Sequence, residues 1–431
     1  MLSFQDKNLG SSQFIVSHIA NKLRPQRTDR DMPSQISNSN LPLTGLRIID
    51  LTQVMAGPFC CMMLGDMGAD VIKVEPPKGD QTRAAMGFRM KGNDSPGFFA
   101  LNRNKKSVVL NLKSSGGMTM FIELVKTADV LVENYRPGVT KRLGIDYETL
   151  KQINPKLIYA SISGFGQTGP WSQRPGFDLM AQAMSGVMSA MGHPDMGPVK
   201  SGVSVGDLGA GLFCVYGILS AVIGRTKSGT GQYIDASLFE AALSLSIWET
   251  TEFWATGKSP QPLGTANRMS APYQAFMASD GMFVVGAANQ KLWELFCDVI
   301  NRPEIKEDPR FITNMDRVAN RSQLEAELKP IFIEQTVGFW VAKFLNYGVP
   351  AGPINDFEQV LSADHTLERN MVLEINHPVE GPIKSLGFPV KLQDTPQQVR
   401  LPPPLLGEHT HELAIELGLD TNKLRAEGAF E

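Results

Sequence analysis

The sequence is short of the features that announce the commonest chemistries. It has four cysteines, Cys60, Cys61, Cys214 and Cys297, with no CxxC pair among them. That argues against a disulfide framework and fits a reducing compartment. The six histidines are scattered. The one close pair, His409 and His411, opens a helical pattern with no third ligand in view, so no metal site is expected. Charge of one sign is also missing: 41 Lys and Arg against 44 Asp and Glu leave a net charge of −3. No basic field is available for nucleic acid or anionic lipid. No uninterrupted apolar run reaches the roughly 18 to 20 residues of a membrane span. The nearest, 208–224, is glycine-rich and reads as a buried helix. Finally, the first strand–turn–helix, through "TQVMAGPF", carries no G-x-G-x-x-G. A nicotinamide or flavin cofactor is therefore not expected. Glu75 ends the second strand, where a ribose-binding acid would sit, or where a solvated strand end would.

What is present is ordinary in bulk: 42% hydrophobic and 20% charged residues over 431 positions. That composition is globular, and the length predicts two domains. Residues 1–40 differ, being polar, Ser/Asn-rich and mildly basic. They read as a flexible tail, or as an upstream start with Met32 the functional one. A mitochondrial transit peptide is the alternative to a cytoplasmic protein. From Leu43 strands and helices alternate: "LRIIDL" (46–51), "ADVIKVE" (69–75), "SVVLNL" (107–112), "ADVLVENY" (128–135), "KLIYASISGF" (156–165) and "GQYIDASL" (231–238). That alternation predicts an α/β fold with a parallel sheet. Three breaker-rich crossings follow at 257–272, 348–357 and 400–410. They divide the chain into a large domain over 41–255, a linker and smaller domain over 256–350, and a C-terminal segment, 351–431, that returns to the large domain. "YQAFMASDGMFVVGA" reads as a hairpin turning at Ser-Asp-Gly.

Two loops follow strands of the predicted sheet. "VENYRPG" (132–138) and "TKRLG" (140–144) offer an amide (Asn134), an aromatic face (Tyr135) and two cations (Arg136, Arg142). That set suits a phosphorylated, adenine-bearing ligand at the carboxyl edge of the sheet, or an ordinary charged surface loop. "SGFGQTGPWSQRPGFD" (163–178) is dense in turns and carries Trp171, Arg174 and Asp178. It reads as a binding loop, or as a turn in which Asp178 caps the next helix. "SVGDLGAG" holds a lone acid, Asp207, before a long apolar helix. It reads as an N-cap, or as a nucleophile whose ionised form the helix dipole maintains beside accessible backbone N–H groups.

Taken together, "LRIIDLTQVMAGPFCCMMLGDMGADVIKVEPP", "LNRNKKSVVLNLK", "ADVLVENYRPG", "GFGQTGPWSQRPGFD", "VGDLGAG", "SGTGQYIDASL" and "PPPLLGEHT" resemble the family III CoA-transferases. "APYQAF", "GVPAGPIN" and "PPPLLGEHT" resemble most the succinate–hydroxymethylglutarate (glutarate) branch. The resemblance runs from Leu43 to the C-terminus. It implies a large Rossmann-like domain, a smaller α+β domain and an interlocked homodimer of ring-shaped chains. It implies Asp207 as the nucleophile, through an aspartyl anhydride and an aspartyl-CoA thioester. CoA-contacting positions fall on Val54, Lys113, Asn134, Tyr135, Arg142 and Leu143, and the acid-binding loop on Arg174, Phe177 and Asp178. Coenzyme A and acyl-CoA enter as substrates, with no prosthetic group. Two departures matter. Pro76 stands where the family often has a phosphate-contacting arginine, leaving Lys78 or Arg83 to supply that contact. Phe177 stands where the α-methylacyl-CoA racemase branch has a histidine base, and a phenyl ring moves no proton. "NRMSAPYQAF" replaces the glycine flap of formyl-CoA transferase, which argues against formyl-CoA and oxalate. The expected activity is CoA transfer between an acyl-CoA, succinyl-CoA first, and a small carboxylic acid, a dicarboxylate first.

Overall fold

The computed structural model describes residues 41–84 and 88–431. The expectations for the first 40 residues lie outside the described residues. Short runs rich in Val, Ile and Leu form β1 (Arg47–Asp50), β2 (Asp70–Glu75), β3 (Lys105–Val109), β4 (Val130–Glu133), β5 (Ile158–Ser163) and β6 (Tyr233–Ser237). All pair parallel, in the order β3-β2-β1-β4-β5-β6. β3 starts two residues before the apolar run that predicted it. Lys105 pairs with Val71 in register, and its buried ammonium is held by Asp50 at 2.9 Å. A strand pattern based on apolar residues does not anticipate that lysine.

Side chains alternate across the sheet, so each face has its own core. Ile48, Val71, Val130 and Val132 pack under the helices Ala56–Asp66 and Val205–Ser228. Ile49, Ile72, Val74, Val108 and Leu131 pack under Ser115–Thr127. Leu413, Ala414, Leu424 and Ala429 join this second core from the far end of the chain. The stretch 400–410 runs along β3 to bring them there. Asn104 N–H donates to the Leu401 carbonyl at 3.0 Å, and Val109 N–H to Thr410 Oγ1 at 3.0 Å. An exposed parallel edge is thereby covered.

The expected apolar helix, 208–224, lies within Val205–Ser228. The full helix is 24 residues long and apolar enough, by length and composition, to cross a membrane. Here its inner face, with Cys214, Val215, Ile218 and Ala221, is buried in the first core. Its outer face leaves Leu212, Phe213, Tyr216 and Ile223 exposed.

The predicted hairpin is β7 (Tyr273–Met277) and β8 (Met282–Gly286), antiparallel. Its turn closes with Ala278 N–H on the Gly281 carbonyl at 2.8 Å. The crossing 348–357 is more than a connection, because it adds β9 (Ala351–Pro353) beside β8. A third core of Trp293, Phe296, Phe311, Phe332, Trp340 and Phe344 lies against this small sheet. A further hairpin, β10 (Val372–His377) with β11 (Gly381–Leu386), has no counterpart in the sequence reading.

Candidate active site

Consecutive strands run outward from β1 in one direction and from β4 in the other. Open α/β sheets bind ligands at the carboxyl ends of the strands where that direction reverses. The sequence-predicted residues Val54, Asn134 and Tyr135 follow β1 and β4 at this point. Asn134 bridges the two strands: its Nδ2 donates to the Gln53 carbonyl at 2.7 Å, and its Oδ1 accepts from Gln53 N–H at 2.9 Å. Asn134 is thus first a clamp on the β1 loop, with one amide hydrogen left for a ligand. Tyr135 packs against the second core, and burial pushes its hydroxyl up to about 12. Arg142 and Leu143 lie on the short helix Val139–Leu143 that follows. The Arg142 guanidinium is exposed and folds back towards Gly138. Lys113 is exposed beyond β3, three strand spacings or about 15 Å from β4. These residues form an extended edge rather than a pocket.

Beneath the edge lies a lattice of buried charge that sequence reasoning missed. Lys73 pairs with Asp80 at 2.8 Å, Lys105 with Asp50 at 2.9 Å, and Arg83 with Glu75 at 2.8 Å. Glu75 is neither a ribose ligand nor a solvated strand end. It is buried, and it accepts from Arg83, Ser107 and the Asp80 N–H. Burial alone would raise its pKa, but Arg83 and Lys73 outweigh that and hold it below the ordinary range. Arg83 donates four of its five N–H groups to Glu75, Asp94 and the Pro404 carbonyl. It is not free for a phosphate, whereas Lys78 is exposed. Among the described residues no Lys or Arg pairs with Glu133. Ser161 and the Tyr135 N–H hydrogen-bond it, and burial still pushes it up to about 7.

Val54 is the oddity of the edge. Its φ is +71°, a genuine outlier for a β-branched residue. Such strain costs of order 1–3 kcal/mol.

Asp207 is not an N-cap. Ser204 holds that position, and Asp207 lies in the first turn of Val205–Ser228. Asp178 is likewise one residue inside its own helix, behind Phe177. The two acids meet across the helices. Asp178 Oδ1 accepts from Gly206 N–H at 2.8 Å and Asp207 N–H at 3.3 Å, while Oδ2 accepts from Gln182 Nε2 at 2.6 Å. Asp178 therefore caps the second helix from outside it. The first-turn N–H groups are occupied, and the expectation that they stand open for an oxyanion is corrected. The glycines of "GDLGAG" serve approach instead. A Cβ at Gly206 would sit 3.0 Å from Asp178 Oδ1, and one at Gly211 2.8 Å from the Ala56 carbonyl.

That second contact orients the site. Residues i and i+4 share a helix face, so Asp207 lies one turn, about 6 Å, from the contact between Gly211 and Ala56. It thus faces the start of the Ala56–Asp66 helix, where the Val54 loop ends. Among the described residues no Lys or Arg pairs with its carboxylate. Burial, with Asp178 adding repulsion, pushes Asp207 up to about 6. The dipole does not hold it down as expected, yet it is ionised at neutral pH. Of the predicted acid-binding residues, Asp178 accepts a hydrogen bond from the Asp207 N–H. Arg174 is exposed, 5.2 Å over the Trp171 ring, and Phe177 is 66% exposed.

A half-buried, unpaired carboxylate beside a switch-point edge lined with exposed cations suits covalent chemistry on a phosphorylated ligand. Comparison with known proteins agrees. Residues 43–410 match the model of CoA-transferase family III. The chain is 43% identical over 353 residues to an acetyl-CoA:oxalate CoA-transferase of Acetobacter aceti, covering 81% of this chain and 89% of that protein. It is 40% identical over 386 residues to a succinyl-CoA:glutarate CoA-transferase of Mus musculus, covering 89% and 88%. A crystal structure of a CAIB/BAIF family protein from Brucella suis superposes with a TM-score of 0.78 at 38% identity, covering 88% of this chain and all of that one. A parallel sheet edge of this kind, read with these matches, leaves one assignment: the chain is a member of CoA-transferase family III.

Proposed function

We propose that this CoA-transferase moves CoA from succinyl-CoA to a small dicarboxylic acid, with Asp207 as the nucleophile. The carrying observation is the part-buried Asp207 carboxylate beside Asp178, with no Lys or Arg paired to it among the described residues. Such a group is a competent nucleophile towards a thioester. It attacks the acyl carbonyl, the C–S bond breaks, and CoA leaves as the thiolate from a mixed anhydride. The thiolate returns to the Asp207 carbonyl and expels the donor acid, leaving an aspartyl-CoA thioester. The acceptor carboxylate attacks that thioester and releases the thiolate again. The thiolate then takes the acceptor acyl group, and Asp207 is free. CoA thioesters are the substrates throughout, and thioester energy is conserved at each step.

The Rossmann-like reading of the large domain supports the placement of CoA. Val54, Tyr135 and Leu143 would meet the ligand's apolar and aromatic parts, and Lys113, Arg142 and Lys78 its phosphates. Arg174 and Phe177 would border the acid. Succinyl-CoA and glutarate are named for the mouse relative and oxalate for the bacterial one, so the acceptor panel includes oxalate despite the missing glycine flap. Steady-state assays with succinyl-CoA and glutarate, succinate, oxalate and malonate test the reading. Transfer to none of them overturns it. Run in D₂O with a 2-methylacyl-CoA, the same enzyme is expected to exchange no α-proton, since Phe177 offers no base.

The homodimer belongs to the same reading. Leu212, Phe213, Tyr216 and Ile223 on one helix, with Trp248, Phe253 and Trp254 on the helix Ile247–Thr256, leave much apolar surface exposed on a single chain. Surface of that kind marks an interface. Light scattering should give twice the 47.2 kDa chain mass, and a stable monomer would contradict the assignment.

A further inference from the structure

Five described residues other than glycine have positive φ, and four of them are asparagines: Asn93, Asn104, Asn301 and Asn370. Asparagine tolerates that region. Val54 is the fifth, and it does not. The residue is 42% exposed in the single chain, so no core packing within the chain forces it there.

The bonds that hold it come from below. Lys73 Nζ donates to the Thr52 carbonyl at 2.8 Å and pairs with Asp80 at 2.8 Å. Asp80 Oδ1 accepts from Thr82 N–H at 2.8 Å and, at 3.4 Å, from Val54 N–H. Asp50 Oδ1 takes the Thr52 N–H at 2.9 Å, and Asn134 ties Gln53 in both directions. The loop is fixed on either side of its strained residue. Both side chains of the Lys73–Asp80 pair are 0% exposed. A buried ion pair is weak evidence for stability, because well-packed apolar residues often serve as well. What this pair does supply is direction: both of its members bond to the β1 loop. That loop leads straight into the helix whose first residue, Ala56, touches Gly211 one turn from Asp207.

We infer that Lys73 and Asp80 are positioning residues, which hold Val54 in its left-handed conformation so that the β1 loop presents the thioester of an acyl-CoA to Asp207. The inference rests on the CoA-transferase reading above. It assigns the strain to catalysis: a relaxed loop would fold at least as well and react more slowly. Strained backbone that the surroundings over-determine is a common mark of functional sites.

Two substitutions separate strain from side-chain contact. Val54→Ala trims two methyl groups and keeps a Cβ in the unfavourable region. Val54→Gly trims the same contact and removes the strain. Three quantities are measured for each: the melting temperature, the CoA dissociation constant by calorimetry, and the rate of acyl-adduct formation on mixing with succinyl-CoA. Val54→Gly is expected to melt a few degrees above Val54→Ala. It should bind CoA within threefold of Val54→Ala and form the adduct at least tenfold more slowly. Asp80→Asn, where it folds, should show the same slow adduct with near-normal CoA affinity. Equal adduct rates in the two Val54 variants overturn the proposal, as does a Val54→Gly that melts no higher than Val54→Ala. A wild-type chain that forms no adduct and binds no CoA marks a different failure, that of the transferase reading itself.

Discussion

Asp207→Ala is expected to form no acyl adduct and to lose at least 10³-fold in turnover, while CoA binds within about twofold of wild type. The size follows from the role. A covalent nucleophile has no substitute in its own pathway, and residues of that kind cost three or more orders of magnitude when removed. The edge proposed above to contact CoA lies on β1, β3 and β4 and is left intact, so binding should separate from chemistry. Mass spectrometry after incubation with succinyl-CoA and a hydroxylamine trap reads the result directly: modified at Asp207 in wild type, unmodified in the variant. Near-normal turnover in Asp207→Ala would end the covalent mechanism. The carboxylate also leaves a mark on stability. Its pKa is raised from 3.8 to about 6 in the folded chain, so the native state binds the proton more tightly than the unfolded state. Protonation therefore favours the native state, and stability from this group is lost as pH rises from about 4 to 6. Asp207→Asn should consequently be the more stable protein at pH 7, by about 1–2 kcal/mol after allowance for its partial exposure, with the gain vanishing near pH 4. Activity has the opposite sign, because only the ionised carboxylate attacks, and turnover should fall as pH drops through about 6.

Asp178→Ala is expected to have the second largest effect, for a different reason. It leaves the Gly206 and Asp207 N–H groups without their acceptor and Gln182 without its own. Loss of a helix cap costs about 1–2 kcal/mol, which a drop of several degrees in melting temperature would report. It also frees the turn that aims Asp207, and a fall of 10- to 100-fold in kcat should follow. Asp178→Asn discriminates between the two contributions. Its Oδ1 still accepts from Gly206 N–H, so the cap is kept, while the Asn amide loses the bond from Gln182 Nε2. The negative charge is gone, so Asp207 titrates closer to its ordinary value and the acid limb of the pH–rate profile moves to lower pH. If the limb stays in place in Asp178→Asn, Asp178 does not act on Asp207 through charge.

Much of this was legible in the sequence because the signals were local. β2, β4 and β5 appear where their Val and Ile runs lie, and the Ser-Asp-Gly turn makes its hairpin. Asp207 could be singled out because a lone acid among glycines before an apolar helix is rare. The failures were non-local. That Asp178 caps a helix 28 residues further on depends on how two helices meet, which no spacing encodes. Lys73 and Lys105 look like surface residues in a strand pattern, and only the fold brings Asp80 and Asp50 to them. Glu75 looked free because its partner, Arg83, follows a turn whose direction the sequence leaves open. Charged residues inside otherwise apolar strands were the available signal: "DVIKVE" places a lysine and a glutamate on strands buried on both faces.

The C-terminal segment also governs when the chain can fold. Leu413, Ala414, Leu424 and Ala429 complete a core whose first residues are Ile49 and Leu51, and Asn111 Nδ2 donates to the carbonyl of Glu431, the last residue. Contacts between segments so far apart in sequence close large loops and form late. The small sheet and its aromatic core draw on a contiguous stretch, from Ala271 to Ala351, and have what they need earlier. Cutting the chain within 400–410 should therefore open the second core, which draws on Leu413 and Leu424, and leave the aromatic core of the small sheet whole.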